Sequence, residues 1–276
     1  MSQAPIEQLR TLMQRLRDPE DGCPWDRKQN FASIVAHTLE EAYELADAIA
    51  SEEPDAIRGE LGDLLFQVIF YSQLAEEKGW FDFDAVAQGI VDKLLRRHPH
   101  VFPDGSLASR AGDAADTPTE AIKRKWESIK QAERAERGQS GLLDDVPTAL
   151  PALSRAAKLQ KRVAGVGFDW QSPNEVLVKL DEEMMELKQA TEALNPLAVE
   201  HELGDVLFTV VNLARHLGVD PEAALRTANR RFERRFGHIE RSLVSVGRHP
   251  KDASLNELES LWQQAKQLES ATPDDQ

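Results

Sequence analysis

The chain lacks features that several classes of protein require. Its 276 residues include a single cysteine, Cys23, so a disulfide within the chain is impossible and a reducing, cytoplasmic location is expected. The longest apolar stretches, such as LLFQVIF, are far shorter than the roughly 20 residues that a membrane-spanning helix needs. The opening residues, MSQAPIEQLR, have no basic segment leading into an apolar run. We therefore expect no secretory signal and no membrane partner.

Positive charge is also scarce. The chain has 33 lysines and arginines against 48 aspartates and glutamates, which gives a formal net charge of −15. A phosphate backbone requires a basic surface, so this balance argues against nucleic acid as a partner. It does not exclude a small phosphorylated ligand, because such a ligand needs only a local basic pocket or a bridging metal ion.

Alternating strand patterns are rare as well, and neither a hairpin signal nor a phosphate-binding P-loop is present. Apolar residues instead recur three and four positions apart, as in Leu9, Leu12, Met13 and Leu16. This spacing predicts an all-α protein. Residues 104–120 are mostly small and polar, with almost no large apolar side chains, so we predict a flexible linker there.

An internal repeat dominates what the chain does contain. A shift of 142 residues aligns two acidic motifs without a gap and predicts a duplicated domain. We therefore predict an N-terminal unit (1–103), the linker (104–120), and a C-terminal region (121–276) that comprises a charged connecting helix and the second unit. The aligned acids are Glu40, Glu41, Glu44, Glu60 and Asp63 in the first copy, and Glu182, Glu183, Glu186, Glu202 and Asp205 in the second copy.

The second helix of each copy suggests a metal ion. Glu60 and Asp63 share a narrow polar stripe on a helix that is otherwise apolar on nearly every side, which predicts burial. Buried carboxylates cost several kcal/mol each unless they are compensated, and the stripe contains no basic residue. A divalent cation shared with the preceding helix would offset the charge. Oxygen ligands suit Mg²⁺, with Mn²⁺ as an alternative.

Basic residues beside the second acidic motif could hold a phosphorylated ligand. Lys179 lies one helical turn before Glu183, and two further pairs follow four residues apart, which places each pair on one helix face. The first unit has His37 at the position of Lys179, and no Trp-x-x-x-Lys pattern follows before the linker. The candidate contacts from this spacing are Lys179, Arg231, Arg235, Trp262 and Lys266, and Arg234 is the neighbour of Arg235 in the sequence.

These motifs resemble a known family. The segments CPWD, LEEAYEL, ELGDLLFQV and RRHPHVF, followed by GFDW, ELGD, FERRF and WQQAK, are similar to the MazG nucleoside triphosphate pyrophosphohydrolases over nearly the whole chain. The resemblance implies an all-α fold of two four-helix units and a homodimer. It also implies that the protein binds nucleotides such as ATP and, with Mg²⁺, hydrolyses nucleoside triphosphates to monophosphate and pyrophosphate. We interpret this as broad-specificity cleansing of the nucleotide pool.

The resemblance also implies roles for individual residues, with the C-terminal unit as the active one. Glu182 or Glu183 would serve as the catalytic base, while the N-terminal acids would form a second possible metal site. The implied metal ligands are Glu183, Glu186, Glu202 and Asp205.

Other functions fit the same residues. A regulatory protein could bind nucleotide in both units without cleaving it, and a dUTPase-like pyrophosphatase would select one base. A di-iron oxidase fits poorly, because such bundles carry Glu-x-x-His whereas both copies here carry Glu-x-x-Asp. A purely structural dimer interface would leave the acids unpaired.

Overall fold

The computed structural model describes residues 4–110, 118–136, 138 and 141–271, and over these residues it is helical with no β-strand. The predicted all-α class is confirmed. The helices are α1 (Pro5–Leu16), α2 (Phe31–Ser51), α3 (Pro54–Glu77), α4 (Phe83–Arg97), α5 (Thr119–Glu136), α6 (Ala152–Ala164), α7 (Pro173–Glu192), α8 (Pro196–His216), α9 (Pro221–Val244) and α10 (Leu255–Ala271). Short 3-10 turns occupy Asp26–Lys28 and Pro250–Asp252.

The chain divides into two compact units, Met1–Gln131 and Ala132–Gln276. This division falls within α5, so most of the helix predicted to connect the units clusters with the first of them. Of the segment predicted as a linker, residues 111–117 lie outside the described residues. None of the helices in the described ranges combines the length and the apolar character that crossing a bilayer requires.

The sequence repeat corresponds to a repeated helical hairpin. In the first unit α2 packs on α3, and in the second α7 packs on α8. Only residues 52–53 and 193–195 join the partners, so each pair is antiparallel. Glu52 and Leu194, which are equivalent in the repeat, both adopt a positive φ, of 57° and 52°. Non-glycine residues rarely take this left-handed conformation, so both copies make the same sharp turn.

Local sequence explains where the hairpin helices begin. Asn30 accepts hydrogen bonds from the backbone N–H groups of Ala32 and Ser33 at the start of α2. Ser172 and Asn195 cap α7 and α8 in the same manner. Proline is at or next to the first position of α3, α7, α8 and α9, where its missing N–H costs no intrahelical bond.

One face of each hairpin is covered by an outer helix of its own unit. In the first unit, Met13 of α1 packs into a core cluster with Ile34, Ile69, Phe70 and Leu74. In the second unit α6 lies against α8, where the side-chain amide of the buried Gln160 donates to the backbone carbonyl of Phe208 at 2.8 Å. These contacts fix the hairpins that carry the acidic motifs.

The opposite face of each hairpin is exposed in the single chain. Leu61 and Leu65 of α3 are 52% and 40% exposed, and Leu203 and Leu207 of α8 are 47% and 50% exposed. The expectation that α3 and α8 are buried on nearly every side is therefore wrong for the isolated chain. The outer helix of each unit covers only one side of the hairpin, and the apolar residues on the other side remain in contact with solvent.

Candidate metal and nucleotide site

The C-terminal hairpin brings three predicted ligands together. One carboxylate oxygen from each of Glu183, Glu186 and Glu202 lies within 4.8 Å of the others. Glu183 is buried, Glu202 is half-buried, and Glu186 is exposed. Oxygens that bind one Mg²⁺ at ~2.1 Å can be up to about 4.2 Å apart, so small side-chain adjustments would suffice. The fourth predicted ligand, Asp205, is exposed and lies outside this group.

The N-terminal hairpin forms a related cluster from a different subset of the repeat. Here Glu41, Glu60 and Asp63 each offer a carboxylate oxygen within 4.8 Å of the others. Glu40 and Glu44 are exposed and lie outside the group. The Oε2 atom of Glu60 is buried and has no hydrogen-bond partner in the structure. A carboxylate oxygen in that state suits a cation, so the donors of both units fit Mg²⁺.

The crowding of carboxylates affects their protonation. Burial, followed by the charges of Glu183 and Glu202, raises the pKa of Glu186, while Lys179 opposes that rise. In the first unit, burial and then the charge of Asp63 raise the pKa of Glu41. The ionised carboxylates in each cluster therefore repel one another, which favours binding of a cation.

Lys179 is the clearest difference between the two clusters. Its Nζ lies 2.9 Å from a carboxylate oxygen of Glu182 and 2.9 Å from one of Glu183. The hydrogen bond to Glu183, followed by that to Glu182, raises the pKa of Lys179, so the lysine is cationic. In the first unit, Nδ1 of His37 lies 3.5 Å from a carboxylate oxygen of Glu40, which is outside the cluster. The imidazole ring of His37 packs edge-on against Trp25.

Helices α9 and α10 pair in the second unit and bring several predicted nucleotide contacts together. The guanidinium of Arg235 lies over the ring of Trp262, 5.5 Å from its centroid, and Phe232 contacts the same indole at 5.3 Å between ring centroids. Arg234 and Arg235 both face the carboxylate of Glu269, at 3.4 and 2.8 Å. Arg231 and Lys266 are exposed and, among the described residues, form no ion pair.

Sequence reasoning missed three features. Phe232 is far from Trp262 along the chain, and Glu269 is far from Arg235. Each pair comes into contact because α9 packs on α10. Asp169, next to Trp170, forms an ion pair with Arg215 and lies 3.1 Å from Nε2 of His216, tying the loop before α7 to the end of α8. The GFDW motif indicated this loop but not its partners.

A Trp-x-x-x-Lys pattern also occurs after the predicted linker, in a helix whose first part clusters with the first unit. Trp126 and Lys130 lie on α5, after the predicted linker, yet the compact first unit extends to Gln131. The Trp126 ring packs edge-on against His98, directly after α4, with 5.0 Å between ring centroids. A search limited to residues before the linker could not find this second Trp-x-x-x-Lys pattern.

The described residues define an all-α protein with duplicated carboxylate clusters, and its second unit also contains a basic and aromatic helix pair. The MazG nucleotide pyrophosphohydrolase domain matches the chain twice, at residues 29–102 and 171–239. The chain belongs to this family of enzymes. Both matches include the hairpin that carries the acids of that unit.

Full-length relatives support the same assignment. The chain is 52% identical to a nucleoside triphosphate pyrophosphohydrolase of Escherichia coli strain K12, over 96% of this chain and 98% of that protein. It is 41% identical to the nucleoside triphosphate pyrophosphohydrolase/pyrophosphatase MazG of Thermotoga maritima, over 95% of each chain. It is also 43% identical to the uncharacterized protein YabN of Bacillus subtilis, where the match covers 95% of this chain and 51% of that protein.

Proposed function

We propose that the protein hydrolyses nucleoside triphosphates to monophosphates and pyrophosphate in its C-terminal unit, with Mg²⁺ and broad specificity for the base. The activity is supported by membership of the MazG family and by the names of the relatives in Escherichia coli and Thermotoga maritima. The observation that carries the proposal is the meeting of Glu183, Glu186 and Glu202 within 4.8 Å, beside a lysine.

Glu183, Glu186 and Glu202 would hold the ion, and Asp205 would complete the set after a change of rotamer. A bound Mg²⁺ would supply Lewis acidity that stabilises charge on the phosphate oxygens. Mn²⁺ suits the same oxygen ligands. Lys179 would keep Glu183 ionised and in place, because its ammonium group contacts that carboxylate.

Glu182 is well placed to accept the proton of the attacking water. Its side chain is 53% exposed, it lies outside the three-carboxylate group, and it shares Lys179 with Glu183. Water would attack the α-phosphorus, the P–O bond to the bridging oxygen would break, and pyrophosphate would leave. The proton would pass from the water to Glu182.

Residues of α9 and α10 would bind the rest of the substrate. Arg231, Arg235 and Lys266 would neutralise the leaving pyrophosphate, and Arg234 adds charge beside them. The indole of Trp262 would stack on the base, with Phe232 at its edge. Stacking accepts any base because each one offers a flat face, which supports broad specificity.

The first unit would hold a second metal ion with Glu41, Glu60 and Asp63, with Glu40 and Glu44 close by. Its orphaned Glu60 oxygen supports binding of a cation. It lacks a counterpart of Lys179, so we propose that it contributes little to turnover.

A homodimer is the second part of the proposal. The exposed apolar face of each hairpin adjoins its acids, since Leu61 follows Glu60 and Leu203 follows Glu202. A second copy packed on these faces would bury the leucines and exclude water beside the acids. Light scattering should give twice the mass of the 30.9 kDa chain, whereas a monomer mass would contradict this part.

The reaction is tested by incubating the protein with canonical and deoxy nucleoside triphosphates and Mg²⁺, then separating the products. We expect nucleoside monophosphate and pyrophosphate from several bases. Release of nucleoside diphosphate and orthophosphate would overturn the reaction class. Binding without turnover would favour a regulatory protein, and cleavage of dUTP alone would favour a base-selective enzyme.

A further inference from the structure

The ion pair between Arg235 of α9 and Glu269 of α10 has an unusual geometry. The Nε atom of Arg235 donates to Oε2 of Glu269 at 2.8 Å. The Arg235 side chain makes no other hydrogen bond to the described residues. A guanidinium carries five N–H groups, so the four on the two terminal nitrogens remain available. These terminal groups form the fork that binds phosphate in a bidentate manner.

Two other arginine–carboxylate pairs among the described residues use one or both terminal nitrogens. Arg248 donates from both terminal nitrogens to Glu257, at 2.5 and 2.9 Å. Arg17 uses Nε and one terminal nitrogen with Glu77, at 2.7 and 2.6 Å. Compared with these pairs, the Arg235–Glu269 contact holds the arginine but leaves its phosphate-binding end unused.

One further contact restrains the same guanidinium. It lies over the indole of Trp262, and the second oxygen of Glu269 faces Arg234 at 3.4 Å. The hydrogen bond from Arg235 lowers the pKa of Glu269, so the carboxylate stays ionised at neutral pH. Two arginines and one glutamate leave one net positive charge, and the contacts with Glu269 and Trp262 restrain the guanidinium of Arg235.

We propose that Glu269 is a positioning residue, which holds Arg235 by Nε against Trp262 so that the terminal guanidinium nitrogens bind the pyrophosphate group of the substrate. The inference rests on the proposed function for its choice of ligand. Glu269 itself would not touch the substrate. It acts by limiting the rotamers of Arg235, which reduces the entropy lost on binding.

Kinetics of the full-length protein with ATP and Mg²⁺ test this role. We expect Glu269→Ala to raise KM about ten-fold and to change kcat less than about two-fold, because Arg235 remains present but loses its orientation. Glu269→Gln should recover only part of the loss and leave KM at least two-fold above wild type, because its amide oxygen can accept from Nε but carries no charge. Glu259→Ala is the matched control, because Glu259 lies on α10, is exposed, and accepts a hydrogen bond from its neighbour Gln263.

A double-mutant comparison separates positioning from a general loss of structure. Arg235→Ala with Glu269→Ala should have the same KM as Arg235→Ala alone. Additive effects, or an unchanged or lower KM in Glu269→Ala, would overturn the inference. If Glu269→Ala does not fold, as judged by circular dichroism, the Glu269→Gln variant and the Glu259→Ala control decide. In that case a KM for Glu269→Gln unchanged from wild type overturns the inference, while a KM raised two-fold or more supports it.

Calorimetry with inorganic pyrophosphate distinguishes failure of this inference from failure of the proposed reaction. We expect the wild-type protein to bind pyrophosphate about ten-fold more tightly than the Glu269→Ala variant. Weakened binding would support the role of Glu269 even if ATP were not cleaved. Equal binding, or no measurable binding to the wild-type protein, would reject it even if ATP were cleaved.

Discussion

The two carboxylate clusters differ less in their acids than in the cations near them. Each unit gathers three carboxylates from an antiparallel hairpin. Among the described residues, a lysine contacts the cluster in the second unit alone, and that unit also has an arginine stacked on a tryptophan between α9 and α10. A duplicated hairpin can thus retain a carboxylate arrangement while the cations around it differ. The acids would then set metal affinity, and the cations would determine which unit performs the chemistry.

The largest effect that tests this comparison is loss of turnover after one acid is changed. Glu183→Ala should lower kcat by about 10³-fold or more, because it removes a buried ligand and its ion pair with Lys179. Glu41→Ala, the equivalent change in the first unit, should leave most of the activity. Steady-state assays of pyrophosphate release measure both variants. If Glu41→Ala were inactive and Glu183→Ala active, the roles of the two units would be reversed.

Removal of Mg²⁺ should affect both the thermal stability of the protein and its turnover, and the two effects can be measured separately. With Mg²⁺ at ~100 times its Kd, binding to the folded state alone adds about 2.7 kcal/mol of stability. We expect chelation to abolish turnover and to lower the thermal midpoint. Glu60→Gln should remove part of the Mg²⁺-dependent shift without abolishing activity. A midpoint that does not respond to Mg²⁺ in any variant would contradict metal binding in both units.

Exchange of the residues at the lysine position should give a smaller change. Lys179→His makes the second cluster resemble the first, and we expect kcat/KM to fall about 10- to 100-fold because an ion pair with Glu183 is weakened. His37→Lys should leave the rate within about two-fold, since no arginine among the described residues of the first unit stacks on a tryptophan as Arg235 does on Trp262. If His37→Lys raised kcat/KM substantially, the lysine alone would account for the difference in activity between the two units.

The sequence predicted the periodic features and missed those that depend on tertiary contact. The helical class and the grouping of Glu183 with Glu186 follow from i, i+3 and i+4 spacing. Glu202 was expected to join them because a divalent cation shared by the two acidic helices was predicted. No local pattern identifies the partner of Glu269 or of Asp169. Glu269 of α10 pairs with Arg235 of α9, and Asp169 of the loop before α7 pairs with Arg215 of α8. The exposure of Leu61 was also missed, since a helix that is apolar on all sides can be covered by its own chain or by another.

The loops before the hairpins allow a comparison of stability. Asp169 ties its loop to Arg215 and His216, with its side chain 21% exposed. We expect Asp169→Ala to cost about 2 kcal/mol in urea unfolding, because two charge-assisted hydrogen bonds are lost. Although burial acts to raise the pKa of Asp169, hydrogen bonds from Arg215 and His216 lower it below 3.8. The contribution should therefore be complete above pH ~4 and disappear as pH falls through the lowered value. A difference from wild type that stays constant down to pH 2 would contradict this account.

The smallest expected effect concerns the corresponding tie in the first unit. Arg17 forms an ion pair with Glu77 and also donates to the backbone carbonyl oxygens of Asp26 and Gln29. Glu77→Ala should cost only about 1 kcal/mol, because Glu77 is one-third exposed and Arg17 keeps two acceptors. The hydrogen bond from Arg17 lowers the pKa of Glu77 below 4.5, so this contribution also disappears as the pH falls through that lowered value. Urea unfolding of Glu77→Ala and Asp169→Ala at neutral pH compares the two losses of unfolding free energy. If Glu77→Ala cost more than Asp169→Ala, the first unit would depend more on a single ion pair than the second does.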